Sequence, residues 1–247
     1  MSGLRIAKFG GTSLGASELF GNVLEVIEER ATRGPLVVVV SALGTVTDRL
    51  EALAEGKDVD FDVEEIRKAH GAMADRWLEE TERIEYEELL DEIADQLAAW
   101  GQFEASDLFG SANGGVDPVR DEILAAGERL SAPLVAAALR SRGLAARSVD
   151  AADLVKARRD GGEVVVNWED TEAAIAEWWD QWDEAHVPIV TGFIAGAGDA
   201  TVTLSRGGSD YSAALFARAL GAEVLERWTD VPGLFEEDPD EDPDAER

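Results

Sequence analysis

The chain of 247 residues contains no cysteine, which rules out a disulfide framework. It has two histidines, His70 and His186, and their isolation gives neither a metal-ligand spacing. No segment approaches the roughly 20 apolar residues of a bilayer span, and the start from Met1 to Phe9 has no apolar run of signal-peptide length. Positive charge is scarce too: 22 basic residues face 52 acidic ones, for a formal net charge of −30, and only Lys8, Lys57, Lys68 and Lys156 are lysines. That balance argues against electrostatic binding to nucleic acid or to an anionic membrane. The expectation is a soluble, cytoplasmic protein with neither of those partners.

What is abundant is acid, spread along the whole chain rather than gathered in one tail. Such a surface repels itself, and the repulsion fades where the Debye length shrinks to about 3 Å at 1 M salt. The composition therefore predicts a protein adapted to a salt-rich cytoplasm, as in halophilic microbes. The length suits one large domain or two small ones, with a sizeable core.

Hydrophobic patterning alternates between strand and helix. Leu4 to Phe9 and Leu36 to Val40 are short apolar runs that read as buried parallel strands. Between them Ser17 to Arg30 places Leu19, Val23, Leu24 and Ile27 at helical spacing. Helices are expected over 46–54, over the acidic region 62–100, and from Pro118 to Leu130, continuing or followed by Ser131 to Arg142 until Gly143 stops it. A loop is expected from Gly110 to Pro118. Ala145 to Val149 and Val164 to Asn167 read as strands around a polar turn at Arg158 to Gly162. Thr171 to Ala185 reads as a helix with Trp178, Trp179 and Trp182 available for packing. Val187 to Phe193, Ala200 to Leu204 and Val224 to Trp228 read as strands, with a helix over Ser209 to Leu220. The sum is an α/β fold, a three-layer αβα sandwich on a mostly parallel sheet, with ligands expected where strands end at glycine turns. No internal repeat is visible. Residues 1–235 form one domain on this reading, and 236–247 form an acidic, proline-bearing tail expected to be mobile.

Two glycine turns carry chemistry. Thr203-Leu-Ser-Arg-Gly-Gly-Ser-Asp-Tyr-Ser212 puts a cation, two glycines, hydroxyls and a carboxylate at the mouth of a helix. Backbone N–H groups converging at such a turn, the helix's positive end and the Arg206 fork together suit an anion. Asp210 cannot serve that anion, so it is expected to face an ammonium, a metal or a catalytic lysine. The bland alternative is a glycine turn leading into a capped helix. At the other turn, Lys8-Phe-Gly-Gly-Thr-Ser13 closes the first strand. It is no P-loop, because the lysine precedes the glycines instead of following them. A lysine at a buried strand end needs an anionic partner.

These residues resemble the aspartate kinases of the amino-acid kinase family, and the likeness runs from residue 4 to about residue 239. Its motifs fall in order: Lys8 to Ser13, Val38 to Ala42 with Thr47, Gly127-Glu-Arg-Leu-Ser131, Thr191-Gly-Phe-Ile194, Thr203 to Ser212, and Trp228 to Phe235 with Asp238-Pro239. The resemblance implies a carbamate kinase-like fold and transfer of the γ-phosphoryl of ATP to the side-chain carboxylate of L-aspartate, the first step towards lysine, threonine and methionine. Lys8 and Asp210 would be catalytic. Thr47, Glu128, Arg206, Ser209 and Asp210 would hold the substrate, with Arg206 on a carboxylate and Glu128 and Asp210 on the ammonium. Lys8, Gly10, Gly11, Thr12, Ser13, Ser41, Thr229, Asp230 and Phe235 would hold the nucleotide, with Mg²⁺ bridging its phosphates. A carboxylate nucleophile is already ionised at pH 7, so the shortage of histidine is no obstacle.

The resemblance also implies a homodimer, with room for a separate regulatory subunit. Departures are visible: Ser205 replaces a glycine, Phe235 a tyrosine, and Asp240 an arginine after Asp-Pro. The family continues into a further kinase segment and paired ACT domains, so the sequence reads as a piece of a longer enzyme. Two other readings stay open: a non-catalytic nucleotide-binding fragment or partner subunit, and a kinase for another small acid.

Overall fold

A computed structural model describes residues 3–102, 118–160, 162–205 and 207–229. Five parallel strands form its central sheet, in the order β3-β6-β2-β1-β9. They are β1 (Arg5–Phe9), β2 (Leu36–Val40), β3 (Ala146–Val149), β6 (Val187–Thr191) and β9 (Val224–Trp228). The run Leu-Val-Val-Val-Val of β2 is buried at every position. It is flanked by β1 and β6, so neither edge meets water and both faces need apolar cover. Successive valines serve opposite faces: Val38 and Val40 pack into one core, Val37 and Val39 into the other. At about 1.5–3 kcal/mol for each fully buried side chain, this strand alone is a large stabilising element.

On the first face lie α2 (Ser17–Ala31), α3 (Val46–Ala54), α4 (Val59–Trp77), α5 (Glu80–Gly101) and α6 (Pro118–Ser141). On the second lie α7 (Trp168–Asp180) and α8 (Gly208–Ala219). The three-layer arrangement agrees with the sequence pattern. A short helix, α1 (Gly11–Gly15), follows β1 directly.

Several details differ from expectation. Leu19 is 41% exposed whereas Phe20 is fully buried; the inward stripe of α2 runs Phe20, Val23, Leu24, Ile27, an i, i+3, i+4, i+7 series from which Leu19 is rotated away. The acidic region is two helices, broken where Leu78 adopts an extended conformation and Ser141 Oγ accepts the Glu79 N–H at 2.9 Å. The helix through Ser131 is continuous to Ser141 despite Pro133. Arg158 and Arg159 belong to strand β4 (Ala157–Asp160), paired antiparallel with β5 (Glu163–Val166), rather than to a turn. The strand from Val187 stops at Thr191, and a separate hairpin follows, β7 (Ile194–Ala197) with β8 (Ala200–Thr203). Trp182 lies just past α7 and donates its indole N–H to the His186 carbonyl at 2.8 Å. The expected loop 110–118, apart from Pro118 at the start of α6, and the tail 236–247 lie outside the described residues.

His70 is fully buried, and its Nδ1 lies 2.6 Å from the Tyr86 hydroxyl, which donates to the Leu130 carbonyl at 3.2 Å. Burial pushes the imidazole down to about 3, so it is neutral and ties α4, α5 and α6 together. Among the described residues no helix is long and apolar enough to cross a membrane.

Candidate active site

The carboxyl ends of β1, β2 and β6 open onto one cleft of about 660 Å³, the side of a parallel sheet where ligands bind. Lys8, the penultimate residue of β1, is 9% exposed. Its burial follows from the strand's own pattern, since Ile6, Ala7 and Phe9 are core. The anionic partner that burial demands is Asp210, whose Oδ1 lies 2.8 Å from Lys8 Nζ. This is a charge contact rather than an aligned hydrogen bond. Asp210 sits in the first turn of α8, where the helix dipole also favours a carboxylate. Gly207 is the N-cap of that helix, with φ 79°, a left-handed backbone that strongly favours glycine. The other oxygen of Asp210 meets Arg227 Nε at 3.2 Å.

Glu128 enters from the opposite wall. It is 5% exposed, and its Oε1 accepts the Ala42 N–H at 3.0 Å. Ser131, one turn further along α6, donates to the Ser41 carbonyl at 2.7 Å, so the helix is pinned to the end of β2 by two polar contacts. The helix can approach because position 127 is glycine: a Cβ there would lie 2.6 Å from Ala42 Cβ and 2.9 Å from Leu50. Burial pushes the Glu128 carboxyl up to about 8, against the pull of the Ala42 N–H and the Lys8 ammonium. Glu128 makes no ion pair among the described residues, which sets it apart from Asp210.

Of the expected residues, the cleft brings together Lys8, Ser41, Thr47, Glu128, Ser209 and Asp210. Gly10 is the N-cap of α1 and Gly11, Thr12 and Ser13 are its first residues, beside the cleft; a Cβ on Gly10 would stand 3.8 Å from Lys8 Nζ. The Gly44 N–H bonds to the Gly11 carbonyl at 2.9 Å, locking that turn onto the loop after β2. Thr229 follows β9. None of these five lines the cleft itself. Arg206, Asp230 and Phe235 lie outside the described residues.

Four residues escaped the sequence reading. Glu51 lines the cleft one helical turn after Thr47, and that i, i+4 spacing was a usable signal. Phe193 also lines it, with φ 68°, a conformation uncommon for a residue with a side chain. Its N–H is held by Ser212 Oγ at 3.0 Å, and its carbonyl by the Leu204 N–H at 2.7 Å. Arg227 carried no signal in the sequence. Asp121 is 5% exposed and accepts from Thr203 through both the hydroxyl (2.6 Å) and the N–H (3.2 Å), while Arg159 pairs with its other oxygen. It fixes β8, the strand that leads into the glycine turn.

A buried cation beside a glycine turn at the end of a parallel strand, facing a buried carboxylate, can take an anionic group at one end and a cationic group at the other. The sequence model of the Amino acid kinase family matches residues 3–247, and the chain belongs to that family. Aspartokinases are among the proteins it is similar to. The chain is 34% identical over 249 residues to lysine-sensitive aspartokinase 3 of Escherichia coli, covering 97% of this chain and 51% of that one. It is 32% identical over 241 residues to the chloroplastic bifunctional aspartokinase/homoserine dehydrogenase 1 of Arabidopsis thaliana, covering 95% and 26%. The crystal structure of E. coli aspartokinase III in complex with aspartate and ADP superposes with a TM-score of 0.81 at 29% identity, covering 99% of this chain and 53% of that one. The chain thus spans about half the length of the first of these relatives and about a quarter of the second.

Proposed function

We propose that this chain carries the catalytic site of an aspartate kinase, transferring the γ-phosphoryl group of ATP to the side-chain carboxylate of L-aspartate to give 4-phospho-L-aspartate. The observation that carries the reading is the pairing of opposites across one cleft. Buried Lys8 beside the Gly10-Gly11 turn suits a phosphoryl group, and buried Glu128, without an ion pair among the described residues, suits an ammonium. The relative solved with aspartate and ADP supports the choice of substrates.

A carboxylate oxygen of aspartate attacks the γ-phosphorus, the bond from that phosphorus to the β,γ-bridging oxygen breaks, and ADP leaves with the electron pair. No proton need move, so the site must position and neutralise rather than act as a base. Lys8 stabilises the charge on the transferring group. Glu128, losing its proton, receives the substrate ammonium, with Glu51 on the same wall. Arg206 clamps the α-carboxylate, and Ser41, Thr47 and Ser209 orient the remaining oxygens. Gly10, Gly11, Thr12, Ser13, Thr229, Asp230 and Phe235 serve the nucleotide. No cluster of acidic and histidine side chains able to cage a metal occurs among the described residues. Mg²⁺ would enter with the nucleotide and neutralise charge on its phosphates.

Cytoplasmic location, a salt-rich cell interior and a homodimer belong to the same proposal. A non-catalytic nucleotide-binding subunit would have no use for a buried Glu128 that has no ion pair among the described residues. The test is aspartyl phosphate formation from L-aspartate and Mg·ATP, trapped with hydroxylamine at roughly 2–3 M KCl, where screening is near complete. Glutamate and acetylglutamate serve as competitors. Product from aspartate alone supports the reading, and folded, nucleotide-binding protein that forms none overturns it.

A further inference from the structure

Beyond Lys8 itself, the structure holds a second cation in position to govern it. β1 and β9 are neighbours in the parallel sheet, and Lys8 and Arg227 are register partners across that pair. Residues level with one another on adjacent strands project from the same face. Both reach Asp210: Lys8 Nζ to Oδ1 at 2.8 Å and Arg227 Nε to Oδ2 at 3.2 Å. The carboxylate is thus shared, one oxygen to each cation.

We propose that Arg227 is a positioning residue that keeps the Lys8 charge available to phosphate; this rests on the kinase reading above. A lone Lys8–Asp210 pair is neutral and offers little to a polyanionic nucleotide. Three groups carrying two positive charges and one negative keep a net positive charge at the sheet end, in a protein whose overall formal charge is −30. Arg227 does this without lining the cleft: its side chain is 50% exposed and it acts through Asp210. The residue that looks like a substrate-ammonium receptor in the sequence is already occupied on both oxygens. The arrangement assigns it to orienting Lys8 and leaves the ammonium to Glu128.

The experiment compares the parent chain with Arg227→Met and Arg227→Lys, each also in an Asp210→Asn background. It reads Mg·ATP affinity by equilibrium titration, aspartyl phosphate turnover, and thermal midpoint as a check on folding. Arg227→Met is expected to weaken nucleotide binding and lower kcat by about tenfold each, less than the 10²–10³ of a direct donor. Arg227→Lys is expected to retain most of both, and in the Asp210→Asn background Arg227→Met is expected to cause a much smaller further loss. Parent-like binding and turnover in Arg227→Met would overturn the inference. A loss that tracks the thermal midpoint, that lysine does not rescue or that persists undiminished in the Asp210→Asn background would reduce Arg227 to a structural tie and overturn it too. A parent chain that neither binds Mg·ATP nor makes acyl phosphate would bring down the kinase reading itself, an outcome separate from both.

Discussion

The two walls of the cleft each present a carboxylate, and the fold treats them in opposite ways. Asp210, on α8, has a third of its side chain exposed and contacts two cations. Glu128, on α6, is almost sealed from water and has one backbone N–H and no ion pair among the described residues. A carboxylate supplied with cations is part of a finished scaffold. One buried without them sits at a free-energy cost that an incoming cation can relieve. On the proposed reading, the phosphoryl side of the cleft falls to the β1–β9–α8 wall and the ammonium side to α6.

The largest expected effect comes from emptying the first wall. Lys8→Ala should lower kcat by about 10²–10³, the range for removing one preorganised electrostatic stabiliser, while aspartate affinity changes little. Single-turnover acyl-phosphate assays check it, and parent-like turnover would end the assignment of Lys8.

The second wall should respond in affinity and in pH. Glu128→Gln is expected to raise the aspartate KM by roughly 10- to 100-fold, the equivalent of one hydrogen bond to a charged group. In the parent, the carboxyl near 8 must lose its proton to pair with the ammonium. Aspartate affinity should then fall about tenfold per pH unit below 8, and the glutamine variant should flatten that slope. Folding stability carries the opposite sign. The native state holds a proton that the unfolded chain gives up near 4.5, so stability declines as pH rises from about 4.5 to about 8 and levels off above. Denaturant titrations at pH 5 and pH 9 compare the parent with Glu128→Gln, in which this component is absent.

A stability measurement tests the support behind the Asp210 wall. Asp121→Ala strips the partner from Thr203 and from Arg159 and should cost about 2–3 kcal/mol, measured by denaturant midpoint. Because β8 leads into the glycine turn of α8, its loss should loosen the Asp210 wall and spare Glu128.

How much of this was legible beforehand depended on whether the signal was local. The apolar run of β2 and the glycine turns at Lys8 and Gly207 are read along the chain, and they point to both the layers and the Lys8 to Ser13 end of the candidate site. The break at Leu78 was missed because it is stabilised from afar, by Ser141. Arg158 and Arg159 looked like a turn because two arginines in a row suit a loop. Pairing across the hairpin instead alternates them, so that Arg159 reaches Asp121. Arg227 and Asp121 could not be found at all, since each acts through a partner 17 or 82 residues away in sequence, Asp210 and Thr203. The lysine's need for an anion was foreseen, and a catalytic lysine was one of three partners left open for Asp210.

The smallest single-site effect lies on the surface and sharpens the contrast with the cleft. Arg158 and Asp160 form a pair with both side chains about three-fifths exposed, and such pairs contribute well under about 1 kcal/mol. Arg158→Ala should therefore leave the thermal midpoint within about a degree at any salt concentration. The bulk of the 52 acidic residues acts differently, through repulsion summed over many separated charges. Salt shortens its reach from about 10 Å at 0.1 M to about 3 Å at 1 M. Lys8, in contact with Asp210 and 9% exposed, is largely shielded from that change. Raising KCl from 0.1 M to 2 M, roughly the span over which screening becomes short-ranged, should lift the midpoint by far more than any single surface substitution shifts it. The parent and Arg158→Ala melted side by side across that range would decide the matter: equal midpoints at low and high KCl would show that the acidic surface is not self-repelling enough to need salt, and would remove the basis for the salt-rich setting.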